Sequence, residues 1–149
     1  MRSLLILNGP NLNMLGTRQP EIYGHTTLSD VEAMCRAHGE KIGVSVTCAQ
    51  SNHEGELVTL IQQSRGTHDG IVFNAGAYTH TSVALRDAIS AAEAKVVELH
   101  VSNVHARETF RHYSHIAPVA VGVIAGFGTA GYVLAMDALL TFLETARRE

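Results

Sequence analysis

The chain has 149 residues, 46% hydrophobic and 17% charged, with a formal charge of −3 and lysine only at Lys41 and Lys95. That is enough chain for one domain with a proper core, and so few, scattered cations exclude a nucleic-acid footprint. No apolar stretch reaches membrane-spanning length, no basic region leads into a signal-like segment, and Cys35 and Cys48 lack metal or redox spacing.

A single domain over residues 1–149 in a reducing cytoplasm, without membrane or nucleic-acid partner, is therefore expected. Residues 3–7 form the first of five short runs rich in Val, Ile and Leu, and are followed by residues 8–24, NGPNLNMLGTRQPEIYG. Asn8, Asn11 and Asn13 bring short polar groups to a strand exit. Gly9, Pro10, Gly16, Pro20 and Gly24 prevent one helix from running through the segment. A connection this long without regular structure is uncommon in a compact domain, and its Leu, Met, Ile and Tyr content argues for a functional loop able to close over a site.

Helical periods and strand-like runs then alternate. Ser29 with Glu32, and Ser51 with Glu54, have the spacing of capping boxes ahead of the first two helices. Residues 44–49 read as the second strand. Leu57, Leu60 and Ile61 mark a helix, residues 70–73 a strand, and Leu85, Ala88, Ile89 and Ala92 another helix, with Ser82 at its first turn. Residues 95–99 and 119–124 read as the last two strands, and Tyr132, Met136, Leu139, Leu140 and Leu143 as the apolar stripe of the final helix. The strand runs lack apolar/polar alternation, so each is expected to be covered on both faces. The architecture is an α/β flavodoxin-like doubly wound sheet of five parallel strands with helices on both faces, its strand order not readable from this pattern.

In such a sheet ligands bind beyond the carboxyl ends of the strands. That rim carries Asn8 and Asn11, then Gln50, Ser51 and Asn52, then Asn74, Tyr78 and His80, then His100, Ser102, Asn103, His105 and Arg107. The opposite rim, with Gly43, His68, Asp69 and Lys95, is poorer in chemistry. The histidine pairs His100/His105 and His112/His115 come without a carboxylate at a ligand-set distance, so no metal is expected. Gly126, Gly128 and Gly131 match G-x-G-x-x-G, but no later strand follows to carry an acid for a ribose, and a tight strand-to-helix turn accounts for them.

No serine lies in a G-x-S-x-G elbow, and neither lysine is placed for Schiff-base chemistry. His80 and His100 are each open to a functional or a structural reading. Tyr23 and Arg18, five apart in the first loop, are open to two readings as well. One is a ring packed at the loop base with the arginine in solvent. The other is a phenolate kept ionised by a guanidinium, which for a phenol of pKa about 10 means several kcal/mol at about 1.4 kcal/mol per unit.

Beyond these readings, the chain resembles the type II 3-dehydroquinases nearly end to end. The resemblance is carried by NGPNLNMLGTRQPEIYG, QSNHEGEL from Gln50, NAGAYTHTSVALRDA from Asn74, ELHVSNVHARETFRHYS from Glu98 and GVIAGFGTAGY from Gly122. Gln19, where Glu is frequent, and Ala75, where Pro often follows the Asn, depart from the pattern and touch loop geometry only. The resemblance implies a single catalytic domain that dehydrates the small-molecule substrate 3-dehydroquinate to 3-dehydroshikimate by anti elimination through an enolate, with no cofactor.

It also implies residue roles. Tyr23 is the base, Arg18 the residue that lowers its pKa, His100 the acid, and Asn11 a holder of the water or dipole facing the enolate oxygen. Asn74, His80, Val101, Ser102 and Arg111 contact substrate, with Arg107 and Glu98 as orienting groups. Asp87 reaches a neighbouring subunit's site in a homododecamer, a tetramer of trimers. The rival readings are a non-catalytic flavodoxin-like binding module and a small hydrolase of similar architecture.

Overall fold

A computed structural model describes residues 1–17 and 20–148, leaving out the side chains of 22, 23, 147 and 148. Strands β1 (Arg2–Asn8), β2 (Val44–Gln50), β3 (Gly70–Asn74), β4 (Val96–His100) and β5 (Gly122–Ala125) form one all-parallel sheet in the order β2-β1-β3-β4-β5. Helices α1 (Pro20–Tyr23), α2 (Leu28–Ile42), α3 (Glu54–Ser64), α4 (Val83–Ala92) and α5 (Gly131–Arg148) connect or follow them.

Because strand side chains alternate, β1 splits its run between two cores. Leu5 and Leu7 join Ile71, Phe73 and Val96 against Leu57 and Ile61 of α3 and Leu85 and Ile89 of α4. Leu4 and Ile6 join Val72, Val97 and Leu99 against Val31 and Cys35 of α2 and Tyr132, Met136 and Leu139 of α5. The expected cover on both faces holds for β1, β3 and β4. It fails at the sheet edges, where Ser45 and Thr47 of β2 and Val123 of β5 are exposed because no helix layer extends over that side of an edge strand.

Other expectations shift by a few residues for local reasons. The last strand begins at Gly122, and Ala117–Val119 form a 3-10 turn, which suits Pro118 with its fixed φ and missing N–H. The first long helix is capped by Thr27, not Ser29: its hydroxyl accepts from Asp30 N at 3.1 Å and its own N–H donates to Asp30 Oδ2 at 3.0 Å, a complete capping box. Ser51 caps no helix. Its Oγ accepts from His53 N at 3.0 Å, and that turn makes His53 the residue preceding α3. Ser82 does cap α4, accepting from Leu85 N at 3.0 Å.

The first loop is more ordered than its glycines and prolines suggest, with a 3-10 turn at Leu12–Met14 and the single-turn α1, which begins at Pro20 where a proline costs no helical hydrogen bond. At the other end of the chain, a Cβ on Gly131 would lie 2.7 Å from Leu99 Cδ1, so the glycine-rich segment after β5 does serve close packing of α5 on the sheet.

Gly9 fixes how near the first loop comes to the third. Its N–H donates to Asn74 O at 2.7 Å, and a Cβ there would sit 2.5 Å from the carbonyl oxygen of Ala75, which is backbone and cannot rotate away. Gly9→Ala is therefore expected to force the two loops apart and destabilise the protein by about 1–3 kcal/mol, read as a lowered urea midpoint against the unmodified chain.

Candidate active site

In the order β2-β1-β3, the connection leaving β1 and the one leaving β3 run to opposite sides, and the parting opens a crevice at their carboxyl ends. A cavity of about 220 Å³ lies there. Asn11 and Pro10 line it from the loop after β1, Asn74 and His80 from the end of β3 and its following turn, and His100, Val101, Ser102, Arg107 and Arg111 from the end of β4 onward. Three loops that are far apart in sequence thus converge on one hollow, whose polar groups are set among Leu12, Met14, Leu15 and Val104.

Asn11 sits in the left-handed region at φ 69°, a conformation that Asn tolerates better than most residues. Its backbone N–H donates to Asn52 Oδ1 at 3.0 Å, and Gln50 Nε2 donates both to that oxygen and to Gly9 O, each at 3.1 Å. The rim residues after β2 therefore brace the first loop and do not line the cavity. Tyr78 belongs with them, since its hydroxyl donates to Asn52 O at 2.9 Å. Asn103 and His105 also stay outside: Asn103 Oδ1 accepts from His105 N and caps a 3-10 turn.

His100 and Glu98 share one face of β4, and both are buried. His100 Nε2 donates to Glu98 Oε2 at 3.1 Å, which assigns the proton on that nitrogen and leaves Nδ1 as the atom available to a ligand. Glu98 Oε1 accepts from Ser114 Oγ, and that hydroxyl in turn accepts from the backbone N–H groups of Ile116 and Ala117 at 3.1 and 2.9 Å. His80 stands nearly parallel to His100, ring centroids 6.2 Å apart, and its Nδ1 donates to Tyr113 O at 2.8 Å. Both imidazoles are thus held from behind with one nitrogen left over.

Two arginines supply positive charge. Arg107 Nη1 donates to Ser102 Oγ at 3.4 Å, and Arg111 Nε donates to Glu108 Oε2 at 2.7 Å while its guanidinium lies 5.0 Å from the Phe110 ring centroid. The hydrogen bond from Arg111 lowers the Glu108 carboxyl pKa from its ordinary value. Among the described residues no group of three or more His, Cys, Asp or Glu side chains is arranged to hold a metal ion. Burial pushes the Cys35 thiol up to about 12, which keeps it protonated and unreactive in its apolar setting.

Of the residues expected at the site, Asn11, Asn74, His80, His100, Val101, Ser102 and Arg111 come together here. Asp87 does not line the cavity and is exposed on α4. Arg18 and the Tyr23 side chain lie outside the described residues. Asn8, expected on the rim, is fully buried beneath it, bonded to Tyr132. Sequence reading missed Tyr132 and Ser114. Tyr132 was absorbed into an apolar stripe, and the one hint was a hydroxyl in a helix face otherwise made of Ala, Met and Leu.

A concave site at a β1/β3 switch point, lined by imidazoles, amides, a hydroxyl and two guanidinium groups, defines a protein that takes a small polar, anionic molecule and handles protons on it. The family Dehydroquinase class II matches residues 2–140, and the chain belongs to that family. A 3-dehydroquinate dehydratase of Ruegeria pomeroyi is 66% identical over 144 residues, 97% of each chain, and a catabolic 3-dehydroquinase 1 of Neosartorya fischeri is 55% identical over 146 residues, again 97% of each. The crystal structure of type II dehydroquinase from Butyrivibrio crossotus superposes with a TM-score of 0.91 at 44% identity, covering 93% of this chain and 97% of that one.

Ser114 gives the buried Glu98 carboxylate a donor and also satisfies two backbone N–H groups. Ser114→Ala removes all three interactions, and a loss of about 1–3 kcal/mol is expected in a chemical denaturation curve, whatever happens to activity.

Proposed function

We propose that the protein dehydrates 3-dehydroquinate to 3-dehydroshikimate, by anti elimination through an enolate. The family assignment and the relatives' activity support the reaction. The observation that carries it to this chain's own residues is the Ser114–Glu98–His100 array, in which a buried carboxylate holds one nitrogen of an imidazole that lines the cavity.

Elimination from a β-hydroxy ketone needs a base for the α-proton and an acid for the departing hydroxyl. His100 is the acid: with Nε2–H held by Glu98, a proton on Nδ1 passes to the leaving oxygen as the C–O bond breaks, and Glu98 supplies the counter-charge. Tyr23 is the base, as a phenolate kept ionised by Arg18, and takes the α-proton while the electron pair moves into the enolate. Asn11 orients a water or its own dipole towards the enolate oxygen. Asn74, His80, Ser102 with the Val101 and Ser102 backbone, and Arg111 bind the hydroxyls and carboxylate. A site built to satisfy so many polar groups rejects analogues that lack one.

The chain acts as a single catalytic domain, with no cofactor in this scheme. Asp87 completes a neighbouring subunit's site in a homododecamer, a tetramer of trimers. Its exposed place on α4, off its own cavity, supports that arrangement, as does the exposed apolar set of Val121, Val123 and Phe127 along the β5 edge. The proposed location is the cytoplasm; among the described residues no helix is long and apolar enough to cross a membrane.

Mixed with 3-dehydroquinate, the protein is expected to generate the ultraviolet absorbance of a conjugated enone. Tyr23→Phe should cut kcat by on the order of 10²- to 10⁴-fold while leaving the melting temperature and much ligand affinity in place; substantial residual turnover would remove the phenolate from the mechanism. Exhaustive chelation should leave the rate unchanged, and its loss would bring a metal back into consideration.

A further inference from the structure

Asn8 and Asn74 end adjacent parallel strands and are register partners, so their side chains leave the sheet on the same face, towards α5. Between them stands the Tyr132 hydroxyl. All three residues are buried, Tyr132 and Asn8 fully and Asn74 at 4% exposure. The Gly76 N–H donates to Asn74 Oδ1 at 3.2 Å, Asn74 Nδ2 donates to Tyr132 OH at 3.0 Å, and Tyr132 OH donates to Asn8 Oδ1 at 2.6 Å.

The polarity of this chain is determined from one end. A backbone N–H is a donor under all conditions, so the Asn74 atom facing Gly76 must be its oxygen, and the atom facing Tyr132 must be its nitrogen. The phenol oxygen then accepts from Asn74 and turns its proton to Asn8. Burial pushes the Tyr132 phenol above its ordinary range, so that proton remains in place throughout the pH range where the protein is handled. One amide hydrogen of Asn74 is used on Tyr132. The second remains for the cavity that Asn74 lines.

We propose that Tyr132 is a positioning residue: with the Gly76 N–H fixing which end of the Asn74 amide is oxygen, the Tyr132 hydroxyl anchors the other end, so that the remaining N–H is presented to an acceptor oxygen of the bound molecule. The inference rests on the reading of the cavity as a site for a polyhydroxylated carboxylate. A stability role by itself does not account for the arrangement. A phenylalanine would fill the same space in the apolar layer without desolvating a hydroxyl, and the network leaves Asn8 Nδ2 buried with no partner. What the three residues achieve together is the orientation of an amide whose two ends are nearly identical in shape but opposite in hydrogen-bonding sense.

The test compares Tyr132→Phe, Asn74→Ala and the double variant, reading KM and kcat for 3-dehydroquinate and Kd for quinate, a non-reacting hydroxylated cyclohexane carboxylate. Tyr132→Phe is expected to raise KM and Kd by about three- to tenfold with kcat within about twofold, because an oriented contact made equally in ground and transition state is lost. In the Asn74→Ala background the same change should raise neither constant further.

Unaltered KM and Kd in Tyr132→Phe would overturn the proposal, and so would an equal rise with and without Asn74, since either result separates Tyr132 from the amide. If Tyr132→Phe fails to fold, Asn8→Ala reads the chain from its far end: a smaller rise that vanishes without Asn74 is expected, and no rise overturns it. Absence of turnover by the unmodified chain would sink the assigned reaction, while quinate affinities would still judge the relay.

Discussion

The site depends on one topological constraint, the divergence of the chain at the carboxyl ends of β1 and β3. Two neighbouring parallel strands pass their connections to opposite sides of the sheet, and no backbone fills the space between the departing loops. Everything polar in the cavity is measured from that gap. Gly9 sets how tightly it closes at the bottom, with backbone against backbone, and Asn8 and Asn74 set the chemistry of its floor. A sheet wound in one direction only would have the same strands and no crevice.

Around the gap the fold spends hydrogen bonds on orientation more than on strength. His100 is held through Glu98 and Ser114, His80 through a carbonyl, Arg111 through Glu108, and the first loop through Asn52 and Gln50. Each of these groups thus has a second group hydrogen-bonded behind it, buried in the case of Glu98 and closer to the surface for Glu108 and Asn52. Such preorganisation suits proton transfer, where the cost of reorienting dipoles during the reaction is what an enzyme avoids. The ring nitrogens left over, one on each histidine, face a cavity whose charge comes from arginine.

Much of this was readable from residue pattern. The three central strands are continuous apolar runs because both their faces are covered, and the rim follows from them, so that Asn11, Asn74, His80, His100 and Ser102, which line the cavity, are all on the rim that the pattern picks out. The failures have physical causes. Ser29 lost the cap to Thr27 because Thr27 with Asp30 offers the same capping pair two residues earlier, and that box is the one that forms. Residues 119–121 read as strand because Val and Ala are apolar, but Pro118 bends the chain first and the register with β4 begins at Gly122. Gln50, Ser51 and Asn52 were on the correct rim yet serve the backbone of the neighbouring loop, since β2 is at the edge and the crevice opens on the other side of β1.

Residue order alone was therefore sufficient for the central strands and the helical stripes, which arise from contacts and propensities within a few positions, and for the family resemblance, which its motifs carry. The strand order, the partnership of Asn8 with Asn74 across β1 and β3, and the Tyr132 hydroxyl between them came only with packing. They join positions 58 and 124 residues apart in the chain, and no local periodicity reports on which buried groups meet. Pattern says that a residue is inside; only the three-dimensional arrangement says what it faces there.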